Sequence, residues 1–273
     1  MYPCRECRPV CVARIGAGRR GWGWLALLLG VFTLEGGGAS LSAQQAPARS
    51  WRGSVDVGLD ARGGGNTDLT IGRGGFSLAY LPTDRAEFEL AASVRYGENQ
   101  GRVIERQQTA SLKLDLVPQN RWTPFAFTGL LADPISRRLD LRAEAGAGVK
   151  HTVARWDGGK ASLSAAALLN LDRYVAVEGA PSPRDRNEAR ASWRLKFDHQ
   201  TSDQGATFEH VSFFQPRWSA WDDYMMTAQS SVRTRLVGRV SMQLTHEYRH
   251  DATPPGGVAR DDWSVVLSFR YDW

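Results

Sequence analysis

The chain has 273 residues, of which 42% are hydrophobic, and 34 basic residues against 29 acidic ones give a formal net charge of +5. Its three cysteines all lie within the first 11 residues, so disulfides contribute nothing to the rest of the chain. A charge this small, without a clustered basic face, excludes a nucleic-acid-binding protein, and we expect no nucleic-acid partner.

The first 43 residues predict a secretory signal peptide. Five arginines precede an uncharged apolar run, Trp22–Leu34, and small residues ending at Ala43 follow it. The run is too short to span a bilayer as a helix, which takes roughly 20 residues. We expect cleavage after Ala43, a short segment over 44–50 and a folded region over 51–273, and the alternative is a retained N-terminal anchor. Cleavage removes five basic and two acidic residues, which leaves a net charge of +2.

From residue 51 onward, apolar and polar residues alternate with a period of two, which is the pattern of strands with two different faces. The last strand shows this most clearly, because Trp263, Val265 and Leu267 alternate with Ser264 and Ser268. Twelve such strands are predicted, over 51–61, 67–81, 86–96, 109–116, 122–131, 139–150, 160–172, 189–198, 206–214, 224–237, 239–249 and 262–273.

The second predicted strand changes parity along its length. Leu69 and Ile71 fall on odd positions, whereas Phe76 and Leu78 fall on even ones. A β-bulge absorbs such a change, and glycine in a strand often marks one. We therefore expect a bulge within 72–75, where only Arg73 is not glycine.

The predicted connections alternate in length. Those after even-numbered strands are mostly tight, such as 82–85 and 157–159, whereas several after odd-numbered strands are longer, such as 177–187 and 251–260. A membrane barrel with both chain ends in the periplasm has short turns on that side and longer loops outside. The connections therefore favour that arrangement.

Together these patterns predict an all-β fold, a transmembrane antiparallel up-and-down β-barrel of about 12 strands in the outer membrane, with outer-membrane lipids as its partner. Many strands run ten residues or more, enough to cross a bilayer when tilted, whereas ordinary strands average about five or six. Their polar faces carry charges of both signs, as a lumen does, and tyrosines and tryptophans recur near strand ends. The alternative is a soluble β-sandwich, whose buried faces also alternate.

The last strand ends on aromatic residues, because Phe269, Tyr271 and Trp273 share its apolar face. Outer-membrane barrels commonly end in this way, and the barrel-assembly machinery reads their final strand. We therefore predict that these three residues form the assembly signal and that the assembly machinery is a partner.

Two short motifs resemble a known family. Gly65-Asn66-Thr67 at the first hairpin, followed by a glycine-rich strand, is similar to the opening of the family named domain of unknown function 481. Residues 138–150 (RLDLRAEAGAGVK) resemble its central strand, although an aromatic residue would be more usual at Val149-Lys150. The resemblance covers about 51–273. It implies an outer-membrane barrel of the kind often labelled salt-induced outer-membrane protein, and it implies no established chemistry.

Charged residues on the polar faces form the candidate functional surface. Those expected to face the lumen are Asp56, Glu87, Glu89, Arg95, Lys113, Asp115, Asp140, Arg142, Glu144, Arg190, Arg194, Lys196, Arg233, Arg235, Glu247 and Arg270, with Asp60, Lys150, Arg239 and Arg249 on the same face. They either line a narrow pore for small solutes or ions, or fill the lumen of a closed scaffold that supports the envelope. Barrels of about eight strands are filled and those of 16–18 conduct, so about 12 strands do not decide between the two. Mixed signs argue against a strongly ion-selective channel.

An enzymatic role is not expected. The chain has no G-x-S-x-G motif, and no Ser-His-acid arrangement follows from spacing. His151, His199, His246 and His250 continue the apolar faces toward lipid, whereas His210 lies in a strand whose parity the sequence leaves open. A lipid-facing histidine can serve a lipid-acting enzyme, so that activity is the third alternative. No cofactor or metal site is predicted, and the oligomeric state is left open.

Overall fold

The structure, a computed structural model, describes residues 50–62, 69–99, 102–176, 185–201 and 205–273. Side chains are described over the same ranges except at 60–62, 69 and 70. The expected signal peptide, nearly all of the segment 44–50, the Gly65-Asn66-Thr67 motif and the side chain of Asp60 lie outside these described parts.

Twelve strands make up the fold, and the strand count predicted from the alternation is confirmed. They are β1 (Ser50–Arg62), β2 (Leu69–Thr83), β3 (Ala86–Asn99), β4 (Arg102–Leu116), β5 (Trp122–Asp133), β6 (Leu139–Trp156), β7 (Gly159–Tyr174), β8 (Arg186–Gln200), β9 (Ala206–Arg217), β10 (Ala220–Val237), β11 (Val240–Asp251) and β12 (Asp261–Asp272). Within the described ranges, no helix is long and apolar enough to span a bilayer.

The sheet closes because β1 pairs with β12, while every other strand pairs with its neighbours in sequence. At this seam Val55 lies opposite Tyr271, and Gly53 and Trp273 exchange backbone hydrogen bonds of 3.2 and 3.0 Å between N and O atoms. A Cβ atom at position 53 would lie 2.3 Å from the Trp273 indole, so glycine is needed there for the indole to pack. A closed sheet has no unpaired edge, which is what hydrocarbon surroundings require.

Apolar side chains of the alternation form the outer wall of the barrel. Val57 is 65% exposed and Leu169 is 61% exposed, and among the described side chains exposed large apolar residues recur on every strand except β2. A belt of this extent needs contact with hydrocarbon rather than water. The apolar faces do not meet across a packed interior, so the soluble β-sandwich is the wrong alternative. Near the chain ends, Trp51 and Tyr80 stack with their rings 4.0 Å apart, as in an interfacial aromatic girdle.

The barrel has two distinct ends. Ser50 and Trp273 lie at the terminal end, together with tight turns such as 157–158 and 238–239. Gly158 has a φ of +79°, a left-handed conformation that glycine adopts without strain. Longer connections such as 252–260 lie at the opposite end, which we call the loop end.

The bulge expected within 72–75 is wrong. The β1–β2 register runs without a shift from Ser50–Leu81 to Arg62–Leu69. The parity change arises because Ile71 points inward, where it is only 1% exposed. It packs beside Gly97, where a Cβ atom would lie 2.9 Å from the Ile71 side chain. An apolar residue therefore occupies a lumen position of an otherwise regular strand.

Candidate functional site in the barrel lumen

Glu247 on β11 identifies the inner face of the barrel. Its carboxylate accepts a hydrogen bond of 2.7 Å from Arg73 Nη1 on β2 and another from Arg95 on β3. Neither β2 nor β3 is a neighbour of β11 in the sheet, so both contacts cross the interior. Residues directly opposite each other on paired strands share a face. On each strand, the residues that pair with Arg73, Arg95 or Glu247, directly or through the strands between them, therefore face the lumen.

The terminal end of the lumen opens into a cavity of about 590 Å³, which we call the terminal chamber. Its charged lining consists of Arg52, Glu87, Glu89, Arg233, Arg235, Arg239, Arg270 and Asp272. Arg52 donates a hydrogen bond of 2.7 Å to Glu87. Among the described residues, no carboxylate lies within 4.0 Å of Arg235 or Arg239. The terminal chamber therefore carries an excess of positive charge.

Paired charges separate the terminal chamber from the next cavity. Asp115 on β4 accepts hydrogen bonds of 2.9 Å from both Lys113 and Lys150. The Lys113 ammonium also lies 3.9 Å from Glu89, which lines the terminal chamber. These contacts form a narrow belt of both signs on β3, β4 and β6.

Beyond this belt lies a central chamber of about 440 Å³. Part of its lining is an apolar strip, which consists of Phe125, Phe127, Leu131, Phe213 and Met225. Phe125 and Phe127 point inward because they lie opposite Asp115 and Lys113 in the β4–β5 register. The sequence missed this strip because both parities of β5 are apolar, so that strand shows weak alternation.

Gly146 on β6 makes room for part of the strip. Gly146 lies directly opposite Phe127 and Gly148 opposite Phe125 in the β5–β6 register. A Cβ atom at Gly146 would lie 2.7 Å from the Phe127 ring. The Gly-x-Gly spacing on β6 thus matches the Phe-x-Phe spacing on β5, and the Phe127 ring lies over Gly146. This motif belongs to the 138–150 segment that carries the family resemblance.

The charged lining of the central chamber is mostly basic, with Lys113, Arg137, Arg142, Arg194 and Arg249 against Glu144. Most of these cations have carboxylate partners. Arg142 is bidentate to Asp172, with both N–O distances 2.6 Å. Arg194 is different, because no carboxylate of the described residues lies within 4.0 Å of it. Its guanidinium carbon instead lies 5.5 Å from the centre of the Phe213 ring.

The loop over 252–260 covers the loop end of the lumen. Arg138 Nη1 donates a hydrogen bond of 2.9 Å to the carbonyl of Gly256, and Arg186 Nη1 donates one of 3.3 Å to the carbonyl of Thr253. Thr253 Oγ1 donates a hydrogen bond of 2.9 Å to Asp223. A cavity of about 150 Å³ lies beneath this loop.

Ion pairs near the loop end are deeply buried. Arg190, 2% exposed, contacts Glu188 at 2.5 Å and Asp223 at 2.9 Å. In the turn between β5 and β6, Arg137 lies 3.1 Å from Asp133. Burial and the nearby positive charge of Arg249 lower the pKa of the Arg137 guanidinium. Each carboxylate here offsets the cost of burying a guanidinium.

Three further residues expected to face the lumen are Lys196, Asp56 and Asp140. Lys196 lies 2.6 Å from Glu209, and Asp56 lies over Gly75, where a Cβ atom would be 2.3 Å from the carboxylate. Asp140 departs from the expectation. Leu139 takes the buried position with 1% exposure, and Asp140 is exposed. The β6–β7 register shifts between Leu139 and Leu141, which exchanges the two sides at this point.

The histidines lie on the outward parity of their strands. His210, left open by the sequence, pairs in register with Ser230, and its Nδ1 lies 2.8 Å from Ser230 Oγ. His199 accepts a hydrogen bond of 3.0 Å from the Trp156 indole, and His151 packs on Trp122 with ring centres 4.0 Å apart. Most of these rings thus join the outer aromatic surface.

A closed twelve-stranded antiparallel sheet with an apolar outer wall and a charged lumen defines this chain as an outer-membrane β-barrel. The chain belongs to the family described as protein of unknown function, DUF481, whose model matches residues 55–273. The resemblance read from the two motifs is therefore confirmed.

The chain is similar to solved outer-membrane barrels at low sequence identity. The COG4313 outer membrane channel from Pseudomonas putida F1 is 14% identical, with 86% of this chain and 100% of that chain covered and a TM-score of 0.49. The NanC porin is 9% identical (80% and 98% covered, TM-score 0.48), and the KdgM porin is 10% identical (80% and 98% covered, TM-score 0.45). No curated protein matches the chain.

Proposed function

We propose that the lumen is a narrow passage for small solutes or ions across the outer membrane. The observation that carries this proposal is a series of cavities along the lumen. Lys113 lines the central chamber and lies 3.9 Å from Glu89 in the terminal chamber. Arg137, Arg142 and Arg249 line both the central chamber and the cavity beneath the 252–260 loop. A lumen filled by side chains, as in barrels of about eight strands, leaves no such space.

The passage is constricted in this conformation. Contacts of Glu247 with Arg73 and Arg95 cross the lumen, and the 252–260 loop covers the loop end. Conduction therefore requires these side chains and this loop to move, and the expected currents are small. The lining carries both signs of charge, so only weak ion selectivity is expected.

A closed scaffold is the second candidate function. The cross-lumen contacts of Glu247 favour it, because they tie β11 to β2 and β3 without requiring an open pore. Such a barrel would support the envelope mechanically, for example under salt or osmotic stress.

Single-channel recording in planar lipid bilayers tests the two candidates against each other. The refolded chain over 44–273 is expected to produce discrete, small current steps. Added tripolyphosphate, which suits the excess positive charge of the terminal chamber, should reduce these steps more from the terminal side than from the loop side. Absence of any current above that of the empty bilayer, from a preparation with the circular dichroism of a folded barrel, would establish the scaffold instead.

We propose further that the barrel is not an enzyme. Ser230 and His210 form the serine–histidine contact on the lipid-facing wall, but among the described residues no carboxylate contacts the His210 ring to orient it as a triad requires. Incubation with phospholipid vesicles is expected to release no fatty acid above the background of the Ser230→Ala variant. Release that depends on Ser230 would overturn this part of the proposal.

A further inference from the structure

We propose that the central chamber binds small amphipathic anions, each with one carboxylate on an apolar or aromatic body. As the solute class of the passage, this inference rests on the conduction proposed above, whereas binding itself is measured separately. The volume of about 440 Å³ falls within the range of small-molecule sites.

The apolar strip forms the first half of the proposed site. Phe125, Phe127, Leu131, Phe213 and Met225 line this chamber in a lumen whose other residues are mostly polar. Water in contact with such a surface is unfavourable, and an apolar solute that displaces it is stabilised. Gly146 leaves room for the Phe127 ring, and the ring centres of Phe125 and Phe127 lie 6.2 Å apart. Flat aromatic surfaces of this kind suit an aromatic or alkyl body.

Arg194 supplies the second half. Its Nε atom is buried and has no hydrogen-bond partner, and no carboxylate of the described residues lies within 4.0 Å of its guanidinium. A buried N–H donor without a partner is costly, whereas a guanidinium binds a carboxylate in a bidentate, charge-assisted geometry. The other basic residues of the chamber have carboxylates of their own, such as Asp172 for Arg142.

The two halves adjoin each other. Arg194 and Phe213 are directly paired in the β8–β9 register, so a carboxylate on Arg194 directs the body of the solute toward the strip. Glu144 is the acidic group of the lining. It pairs with Asn170 on β7, which pairs with Glu188 on β8, so Glu144 is not level with Arg194 across the sheet. It therefore does not stand directly against the bound carboxylate. Neutral solutes lack the ionic contact, and hydrophilic anions lack the apolar one.

Equilibrium binding to the refolded barrel in detergent tests this inference, with benzoate as the probe. Benzyl alcohol, which lacks the charge, and acetate, which lacks the ring, are the comparison ligands. By titration calorimetry, benzoate is expected to bind at least tenfold more tightly than either. Arg194→Gln is expected to weaken benzoate about tenfold, because a hydrogen bond to a charged group is lost. Phe127→Ala should weaken benzoate and leave acetate unchanged.

Lys160→Gln is the matched control, because Lys160 is a basic residue that does not line this chamber. It should leave benzoate binding unchanged. If Arg194→Gln fails to fold, Arg194→Lys keeps the charge and removes the planar fork, and it should weaken benzoate severalfold. Equal affinity for benzoate and benzyl alcohol, or full benzoate affinity in both Arg194 variants, would overturn the inference.

Bilayer recording separates this inference from the proposed passage. Benzoate should reduce the current of the wild-type barrel and leave the current of Arg194→Gln unchanged. A conducting barrel without selective benzoate binding overturns the inference and keeps the passage. Benzoate binding that depends on Arg194, in a barrel that never conducts, supports the site and overturns the passage.

Discussion

Arginines and carboxylates line both ends of the lumen, but they differ in burial and in pairing between the two ends. At the loop end, Arg190 is 2% exposed and is held between Glu188 and Asp223. At the terminal end, the Arg52 side chain is 66% exposed, and within the described residues Arg235 has no carboxylate within 4.0 Å. Buried, multiply bonded pairs are costly to break, whereas exposed pairs contribute little. Buried ion pairs therefore hold the loop end closed, whereas the terminal end stays open.

Removal of the Glu247 carboxylate, which contacts strands across the lumen, should have the largest effect on the loop end. Glu247→Gln replaces the carboxylate that Arg73 and Arg95 share by a neutral amide, and loss of one partner of a buried ion pair costs about 3 kcal/mol. We expect a loss of this size in the free energy of unfolding, together with larger or more frequent current steps. Denaturant titration followed by tryptophan fluorescence measures the first quantity, and bilayer recording measures the second.

Glu209→Gln is the control for this variant, since Glu209 is 45% exposed and contacts Lys196 within one pair of neighbouring strands. It should cost no more than about 1 kcal/mol. Equal losses from Glu209→Gln and Glu247→Gln would mean that the contacts across the lumen are not special.

Packing at the seam, rather than charge, should decide stability at the terminal end. Gly53→Val places new atoms where the Trp273 indole lies, and overpacking of this kind costs about 2 kcal/mol. The same unfolding titration measures the effect. Gly74→Ala is the comparison, because a Cβ atom there would meet Val94 at an ordinary 3.6 Å. If both variants unfold alike, the close contact between Gly53 and Trp273 does not stabilise the seam.

Release of the loop cover should have a smaller, local effect. Thr253→Val removes the hydrogen bond to Asp223, which is worth about 1 kcal/mol. Amide hydrogen exchange over 252–260 should then rise about fivefold, while exchange in the β1–β12 seam stays the same. Thr253→Ser keeps the hydroxyl and should exchange like the wild type. Unchanged exchange in Thr253→Val would show that Arg138 and Arg186 hold the loop without it.

The smallest effect is expected at the terminal chamber. Arg52→Gln removes an exposed contact with Glu87 and should lower the free energy of unfolding by no more than about 0.5 kcal/mol. Denaturant titration again provides the measurement. A loss as large as that of Glu247→Gln would erase the difference between the two ends.

Much of the fold followed from local alternation, because the inside and outside of a barrel impose a period of two on every strand. Positions such as Arg270 and Trp273 could be assigned to opposite faces without any knowledge of their neighbours. The contact of Arg73 with Glu247 could not, since it joins residues 174 positions apart and depends on how far the register shifts around the closed sheet. A local irregularity also defeats alternation, as the register shift beside Asp140 shows.

The apolar strip was hidden for another reason. On β5, inward Phe125 and Phe127 alternate with Pro124 and Ala126, so neither face of that strand looks polar. The signal lay on the next strand, where glycines recur at the matching spacing. Glycines in a strand usually suggest a bulge or a close approach, and the approaching group becomes known only when the two strands are aligned.

The Phe127 ring occupies the space that a side chain at position 146 on the neighbouring strand would need. A larger residue at position 146 also meets the backbone of β7, because a Cβ atom there would lie 2.6 Å from the carbonyl oxygen of Ala167. Phe127→Ala therefore relieves only one of the two contacts, and Gly146→Val should destabilise the barrel even in combination with Phe127→Ala. Relatives of this barrel should accordingly keep glycine at this site whichever residue they carry at position 127.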